Sequence, residues 1–161
     1  MKRPVQLLAD LLKKNELTIA FAESMTCGLV SHTMGTVSNT SDIFMGSIVC
    51  YCEEVKVSLL KVKKTLLKSY TAESQEVTDA LALNLRRIVK ADIHAAVTGL
   101  AAPGGSETIS KPVGTVFYSF LFKGKLYRMK KKFNGSPLQI KKKGCDQFLK
   151  FLVHDLKDKL K

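Results

Sequence analysis

The sequence predicts an α/β fold with helices on both faces of a mixed sheet. Three short, nearly continuous apolar runs, at residues 18–23, 46–51 and 94–99, alternate with segments of helical periodicity, as expected of strands covered on both faces. Two further strand-like runs, joined by Lys123-Gly124-Lys125 and followed by an amphipathic segment, add a hairpin and a last helix.

The elements follow in order. Val5, Leu7, Leu8, Leu11 and Leu12 recur at helical spacing and predict a first helix over about residues 3–14. TIAFAE, residues 18–23, is the first buried strand, and small polar residues from Ser24 onward open a helix running to about Met34. GSIVCY, residues 46–51, has the pattern of a second buried strand, and EEVKVSLLKV resumes helical character. Ser74 is suited to cap a helix over about residues 75–90, where Val77, Leu81, Leu85 and Ile88 share one face. HAAVTG, residues 94–99, runs into a Gly-, Pro- and Ser-rich loop. TVFYSFLF and LYRMKKKF form the hairpin. Asn134-Gly135-Ser136-Pro137 then breaks the chain before a helix whose core face includes Phe148, Leu149, Leu152, Val153 and Leu156.

With 161 residues, 45% of them hydrophobic, the chain has the material for one core, so one domain over residues 1–161 is expected. No apolar stretch approaches the roughly 20 residues of a membrane span, and the charged N-terminal segment reads as an amphipathic helix rather than a signal peptide. Cys27, Cys50, Cys52 and Cys145 fit neither a disulfide framework nor a paired CxxC zinc site, which favours free thiols and a cytoplasmic location. Cys50 and Cys52, two apart in a strand, point to one face, where filling space outweighs metal or redox chemistry. The net charge of +12 is concentrated at one end: the last 39 residues hold 13 basic and 3 acidic side chains. Phosphate neutralisation by this segment would suit nucleic acid or another polyanion, yet it carries no nucleic-acid-binding signature, so a solvated Lys-rich face is favoured.

In open α/β sheets the ligand crevice lies beyond the carboxyl ends of the parallel strands. Ser24 to Gly28, Tyr51 to Lys56 and Thr98 to Gly105 should converge there. Ser24 stands where a buried strand turns into a helix, so its hydroxyl can face the crevice while the following amides lack intrahelical partners. Those amides suit a phosphate or the oxyanion of acyl transfer, although a serine at such a junction is most often a helix cap. His32, His94 and His154 are poorly placed to activate it. Lys56, one helical turn beyond Tyr51, is better located as a base of the serine–lysine kind; the alternative is a surface lysine. The Pro103-Gly104-Gly105 turn allows close backbone approach to a phosphate but matches no nucleotide fingerprint.

Together these segments resemble the C-terminal domain family of the competence/damage-inducible protein CinA, which also occurs alone as a nicotinamide-nucleotide amidohydrolase. Ala22-Glu23-Ser24-Met25-Thr26-Cys27-Gly28 resembles the family's AES-x-T-G-G. Gly46 to Tyr51, continuing to Lys56, is similar to G-x-V-x-Y-x-x-x-x-K. Ala96 to Gly105 resembles A-V-T-G-I-A-G-P-G-G, and Lys111 to Val116 reads K-P-V-G-T-V intact. The resemblance implies a three-layer α/β/α fold with a mixed, mostly parallel five-stranded sheet. It also implies hydrolysis of nicotinamide mononucleotide to nicotinic acid mononucleotide and ammonia without metal or redox cofactor.

Carried over on that resemblance, Ser24 is the nucleophile, Lys56 its proton acceptor, and Tyr51 orients the lysine or binds substrate. Turn amides near Thr26 to Gly28 hold the oxyanion, and the Gly104-Gly105 loop holds the phosphate. Glu23, Thr26, Cys27 and Gly28 of the first motif, with Thr98, Gly99, Pro103, Gly104 and Gly105 of the third, are assigned to substrate binding. The chain departs from the family at Cys27 and Ala102, where glycines stand, and at Gly135-Ser136-Pro137, where Gly-Asp-Arg is common; Lys141 to Lys143 are nearby substitutes. A homo-oligomer is expected, built on an apolar edge or the basic hairpin. The competing readings are a degenerate member acting as a nucleotide-binding or interaction module, and a polyanion binder.

Overall fold

Pro4 at the first turn, where its missing N–H costs nothing, opens α1 (Pro4–Lys14), and Val5, Leu8, Ala9 and Leu12 form its buried stripe. The computed structural model, which describes residues 2–160, continues with β1 (Ile19–Glu23), α2 (Leu29–Gly35), β2 (Phe44–Val49), α3 (Glu53–Ser58) and α4 (Lys64–Tyr70). Then follow α5 (Gln75–Leu85), β3 (Ile93–Gly99), β4 (Thr115–Phe122), β5 (Lys125–Lys132) and α6 (Pro137–Lys159). The sheet order is β2-β1-β3-β4-β5. β2, β1 and β3 run parallel, and β4 and β5 return antiparallel.

Strand alternation divides the core into two layers. Ile19 and Phe21 of β1 and Tyr118, Phe120 and Phe122 of β4 face α1, α2 and α6, where Phe148, Phe151 and Leu152 meet them. Phe120 packs edge-on to Phe151 and stacks on Tyr127, with centroids 5.2 and 4.7 Å apart. On the opposite face Ala20, Ala22 and Ala96 admit Val77, Leu81 and Leu85 of α5 against the sheet. The architecture is therefore the three-layer α/β/α expected. Among the described residues no helix is long and apolar enough to cross a membrane.

Several boundaries differ from the sequence reading. The helix expected from Ser24 starts only at Leu29, because Cys27 (φ 52°) and Gly28 (φ 89°) both take left-handed backbone that no right-handed helix contains. β2 is an edge strand rather than a buried one, with Met45 and Val49 exposed. It ends at Val49, so Cys50 and Cys52 are not strand neighbours on one face: Cys50 is buried and Cys52 is exposed ahead of α3. α5 stops at Leu85 rather than near residue 90. α4 was not distinguished in the sequence, being a seven-residue helix with only Leu67 buried. At the other edge β5 exposes Lys125, Arg128 and Lys130 to Lys132, and charge of this kind blocks edge-to-edge pairing. Much of the C-terminal basicity is placed there.

Candidate active site

The carboxyl ends of β1, β2 and β3 meet at Ser24. Its amide donates to Val97 O of β3 at 3.0 Å, and the next link of the β1–β2 ladder, Cys50 N to Glu23 O at 2.8 Å, holds the other side. Ser24 is thereby fixed between two neighbouring strands, with 6% of its surface exposed. Lys56, near the end of α3, is 1% exposed. Its Nζ lies 3.1 Å from Ser24 Oγ, 2.6 Å from Cys50 O and 3.2 Å from Tyr51 O. The Cys50 and Tyr51 carbonyls accept from the amine and fix its direction, which leaves Nζ within hydrogen-bond reach of the serine hydroxyl. That arrangement suits abstraction of the Ser24 proton.

Glu23 precedes the serine and is fully buried. Its Oε2 accepts from Thr26 Oγ1 at 2.7 Å, Gly28 N at 3.0 Å and Val30 N at 3.1 Å. Its Oε1 accepts from Ser31 N at 2.8 Å, from Ser31 Oγ and from Ser47 Oγ at 3.4 Å. The carboxylate thus takes up donors at the start of α2 that would otherwise lack partners. Glu23 and the Thr26 hydroxyl build the turn and do not line the cavity.

The same bonds narrow the choice of oxyanion donors. The Cys27 amide donates to Ser24 O at 3.1 Å and the Gly28 amide to Glu23. Of the turn amides after Ser24, those of Met25 and Thr26 are not tied up within the turn. Cys27 is exposed and holds φ 52°, so its side chain is accommodated at the surface while its backbone takes a conformation that glycine adopts more readily. Ala102 takes no positive φ and carries no such strain.

A cavity of about 430 Å³ opens over Ser24, lined by Met25, Tyr51, Glu73, the segment Gly99 to Gly105, Pro137 and Lys141. That is within the usual range for small-molecule sites. The structure brings Ser24, Tyr51, Gly99, Pro103, Gly104 and Gly105 to one cavity, with Lys56 behind the serine. Thr98 stays out of it: fully buried, its hydroxyl pairs with Thr78 Oγ1 at 2.7 Å. Gly99 is required by packing, because a Cβ there would come within 2.6 Å of Thr115 O. The Gly104 amide is already engaged, donating to Glu107 Oε1 at 2.8 Å, and this bond holds the Glu107 carboxyl below the usual range.

One lining residue, Glu73, escaped the sequence reading, and another, Pro137, was noted there only as a departure from the family motif. Glu73 lies between α4 and α5, in a stretch with no motif signal. Pro137 belongs to the start of α6, where Ser136 and Gln139 form a capping box. Of the three lysines that follow, Lys141 lines the cavity, its Nζ 5.8 Å from the Tyr51 ring centroid. Lys143 turns back to Asn134 O at 2.7 Å, and Lys142 lines a different pocket beside Arg3.

The fold and site define a three-layer α/β/α protein with a buried serine–lysine pair at the carboxyl ends of its parallel strands. The CinA C-terminal domain family matches residues 2–156, and the chain belongs to that family. It is 41% identical over 137 residues to a CinA-like protein of Petrotoga mobilis, covering 84% of this chain and 34% of that one. Over 154 residues it is 36% identical to a CinA-like protein of Thermotoga neapolitana, covering 96% and 37%. The chain thus spans about a third of the length of these relatives. Among solved structures, a competence-damaged protein (CinA) superfamily protein from Enterobacter cloacae aligns with a TM-score of 0.89 at 29% identity, covering 95% of this chain and 90% of that one.

Proposed function

We propose that this chain is a nicotinamide mononucleotide amidohydrolase in which Ser24 is the nucleophile and Lys56 the base. The observation that carries the reading is the 3.1 Å contact between Lys56 Nζ and Ser24 Oγ, with Ser24 lining the cavity and Lys56 buried behind it. Ser24 Oγ attacks the carboxamide carbon as Lys56 takes its proton, and the tetrahedral oxyanion is met by the amides of Met25 and Thr26. Lys56 returns the proton to the nitrogen as the C–N bond breaks, releasing ammonia. Water then hydrolyses the acyl-serine to give nicotinic acid mononucleotide. The exposed Tyr51 ring offers a face for the pyridine at the mouth. The phosphate is assigned to the Gly104-Gly105 side of the cavity, with Lys141 as the lining cation.

Ammonia release from nicotinamide mononucleotide, measured beside the riboside, tests this. Ser24→Ala and Lys56→Met should each lower turnover by about 10³-fold or more while the fold is retained. No turnover of any pyridine nucleotide by the folded wild type would overturn it. A second reading, nucleotide binding without turnover, is favoured by the capping box at Ser136, which stands where the family commonly carries Gly-Asp-Arg. Saturable binding without ammonia release would select it.

A further inference from the structure

The two walls of the cavity that face away from Ser24 are not joined by sheet or helix. One is Glu73, in the connection between α4 and α5; the other is the loop from Leu100 through Gly105. Lys111 lies beyond that loop in sequence, yet its Nζ reaches Thr71 Oγ1 at 2.6 Å, Glu73 O at 2.9 Å and Ser106 Oγ at 2.7 Å. Ser106 Oγ in turn donates to Glu73 Oε2 at 2.5 Å. Three ammonium protons thus find three acceptors, and the serine relays the lysine to the carboxylate. The loop is closed on itself by Thr108 N to Lys111 O and Lys111 N to Thr108 O, at 3.0 and 3.1 Å. Ser106 immediately follows Gly105, so any slack there passes directly to the glycines.

Strain at the grip point supports the same conclusion. Thr71 holds φ 67° and ψ 164°, a region that a β-branched residue enters only when its surroundings hold it there. Its hydroxyl is one of the three acceptors on Lys111, and the side chain that follows at one remove, Glu73, is the cavity wall. Burial presses the Lys111 ammonium down while the Glu73 carboxylate opposes it, so the lysine is tied to its place by charge as well as by hydrogen bonds.

We propose that Lys111 is a positioning residue, a cross-strap that sets the width of the substrate cavity by holding the glycine loop against the α4–α5 connection. Resting on the amidohydrolase reading, this assigns Lys111 to substrate binding rather than to the chemical step. Ser24 and Lys56 stand on the opposite wall, fixed by contacts that do not include it.

The test compares wild type with Lys111→Met, Lys111→Arg and Ser106→Ala, following ammonia release kinetics and backbone hydrogen exchange. Loss of a charged hydrogen-bonded strap should raise KM for nicotinamide mononucleotide about tenfold in Lys111→Met, with kcat within about threefold of wild type. Lys111→Arg should recover part of the loss, and Ser106→Ala, which keeps the Thr71 and Glu73 contacts, should show a smaller shift in KM. Exchange should quicken across residues 102–110 and stay unchanged across 24–31. A fall in kcat at unchanged KM, or unchanged exchange in the loop, overturns the proposal. If the wild type turns over no pyridine nucleotide, the amidohydrolase reading fails while the exchange arm still decides the strap. If Lys111→Met does not fold, Ser106→Ala decides on the same two readouts.

Discussion

Replacing Glu23 with glutamine separates a residue that builds the site from one that binds in it. Glutamine keeps the shape but exchanges one acceptor oxygen for a two-proton donor. Its better orientation keeps oxygen at the Oε2 position, where Thr26 Oγ1, Gly28 N and Val30 N donate, and puts the NH2 at the Oε1 position. There the Ser31 and Ser47 hydroxyls can rotate to accept, but the Ser31 amide cannot. The loss is one hydrogen bond to a charged acceptor and one buried donor left facing another donor, together about 2–4 kcal/mol. With a urea m-value of about 2 kcal/mol per molar, the unfolding midpoint should fall by about 1–2 M. Urea unfolding at neutral pH, followed by circular dichroism, measures it. A midpoint shift below about 0.3 M together with a raised KM would refute the reasoning and return Glu23 to the substrate.

Two more predictions concern the cysteines. Cys27 holds φ 52°, where relief of backbone strain by glycine is worth about 1–2 kcal/mol against an entropic cost of about 0.5–1 kcal/mol. Cys27→Gly should therefore stabilise the protein by up to about 1 kcal/mol, seen as a rise of about 2–4 °C in the thermal midpoint; a lower midpoint would contradict this. Cys50 and Cys145 are pushed up to about 11 by burial, whereas Cys27 and Cys52 are exposed. At pH 8 the buried pair is only about 0.1% thiolate, so an aromatic disulfide reagent should titrate two thiols in the native protein and all four after denaturation. Because their folded values lie above the unfolded one, the stability gained by keeping these thiols neutral is complete below about pH 8.5. It is lost as the pH rises toward 11.

The elements that sequence placed well are those whose burial is uniform. β4, with all eight residues buried, has no alternative reading, and the long α6 announces itself through Phe148, Leu149, Leu152, Val153 and Leu156. β2 misled because Ile48 and Val49 are apolar although the strand is an edge; composition alone does not distinguish a strand with two neighbours from one with a single neighbour. The convergence of Ser24, Tyr51 and the glycine loop was legible from strand-end topology. The part played by Glu23 was not, since six donors from residues three to 24 positions away gather on one carboxylate only when the turn at Cys27-Gly28 is folded. Nor was Glu73, which lines the cavity from the connection between α4 and α5 and is held there by Lys111 and Ser106.

The start of α6 shows how a change in local structure alters what the site can recognise. Where the family commonly carries Gly-Asp-Arg, this chain has Gly135, then Ser136 as helix cap and Pro137 in the first turn. A well-formed helix start stands at this point, and the cation that lines the cavity lies one turn into α6, at Lys141. An arginine offers a planar fork that grips two oxygens, whereas a lysine offers a mobile point charge on a flexible stem. Lys141 also lies near the Tyr51 ring, so the cation and the aromatic surface at the mouth are coupled: an anion drawn to Lys141 arrives beside the face on which a pyridine would stack. The Gly104 amide, held by Glu107, contributes to an incoming phosphate only by exchanging one anion for another. On the proposed function, Tyr51 and Lys141 would together suit a ligand with both a ring and a negative charge, and a lysine would hold that charge less rigidly than a fixed guanidinium.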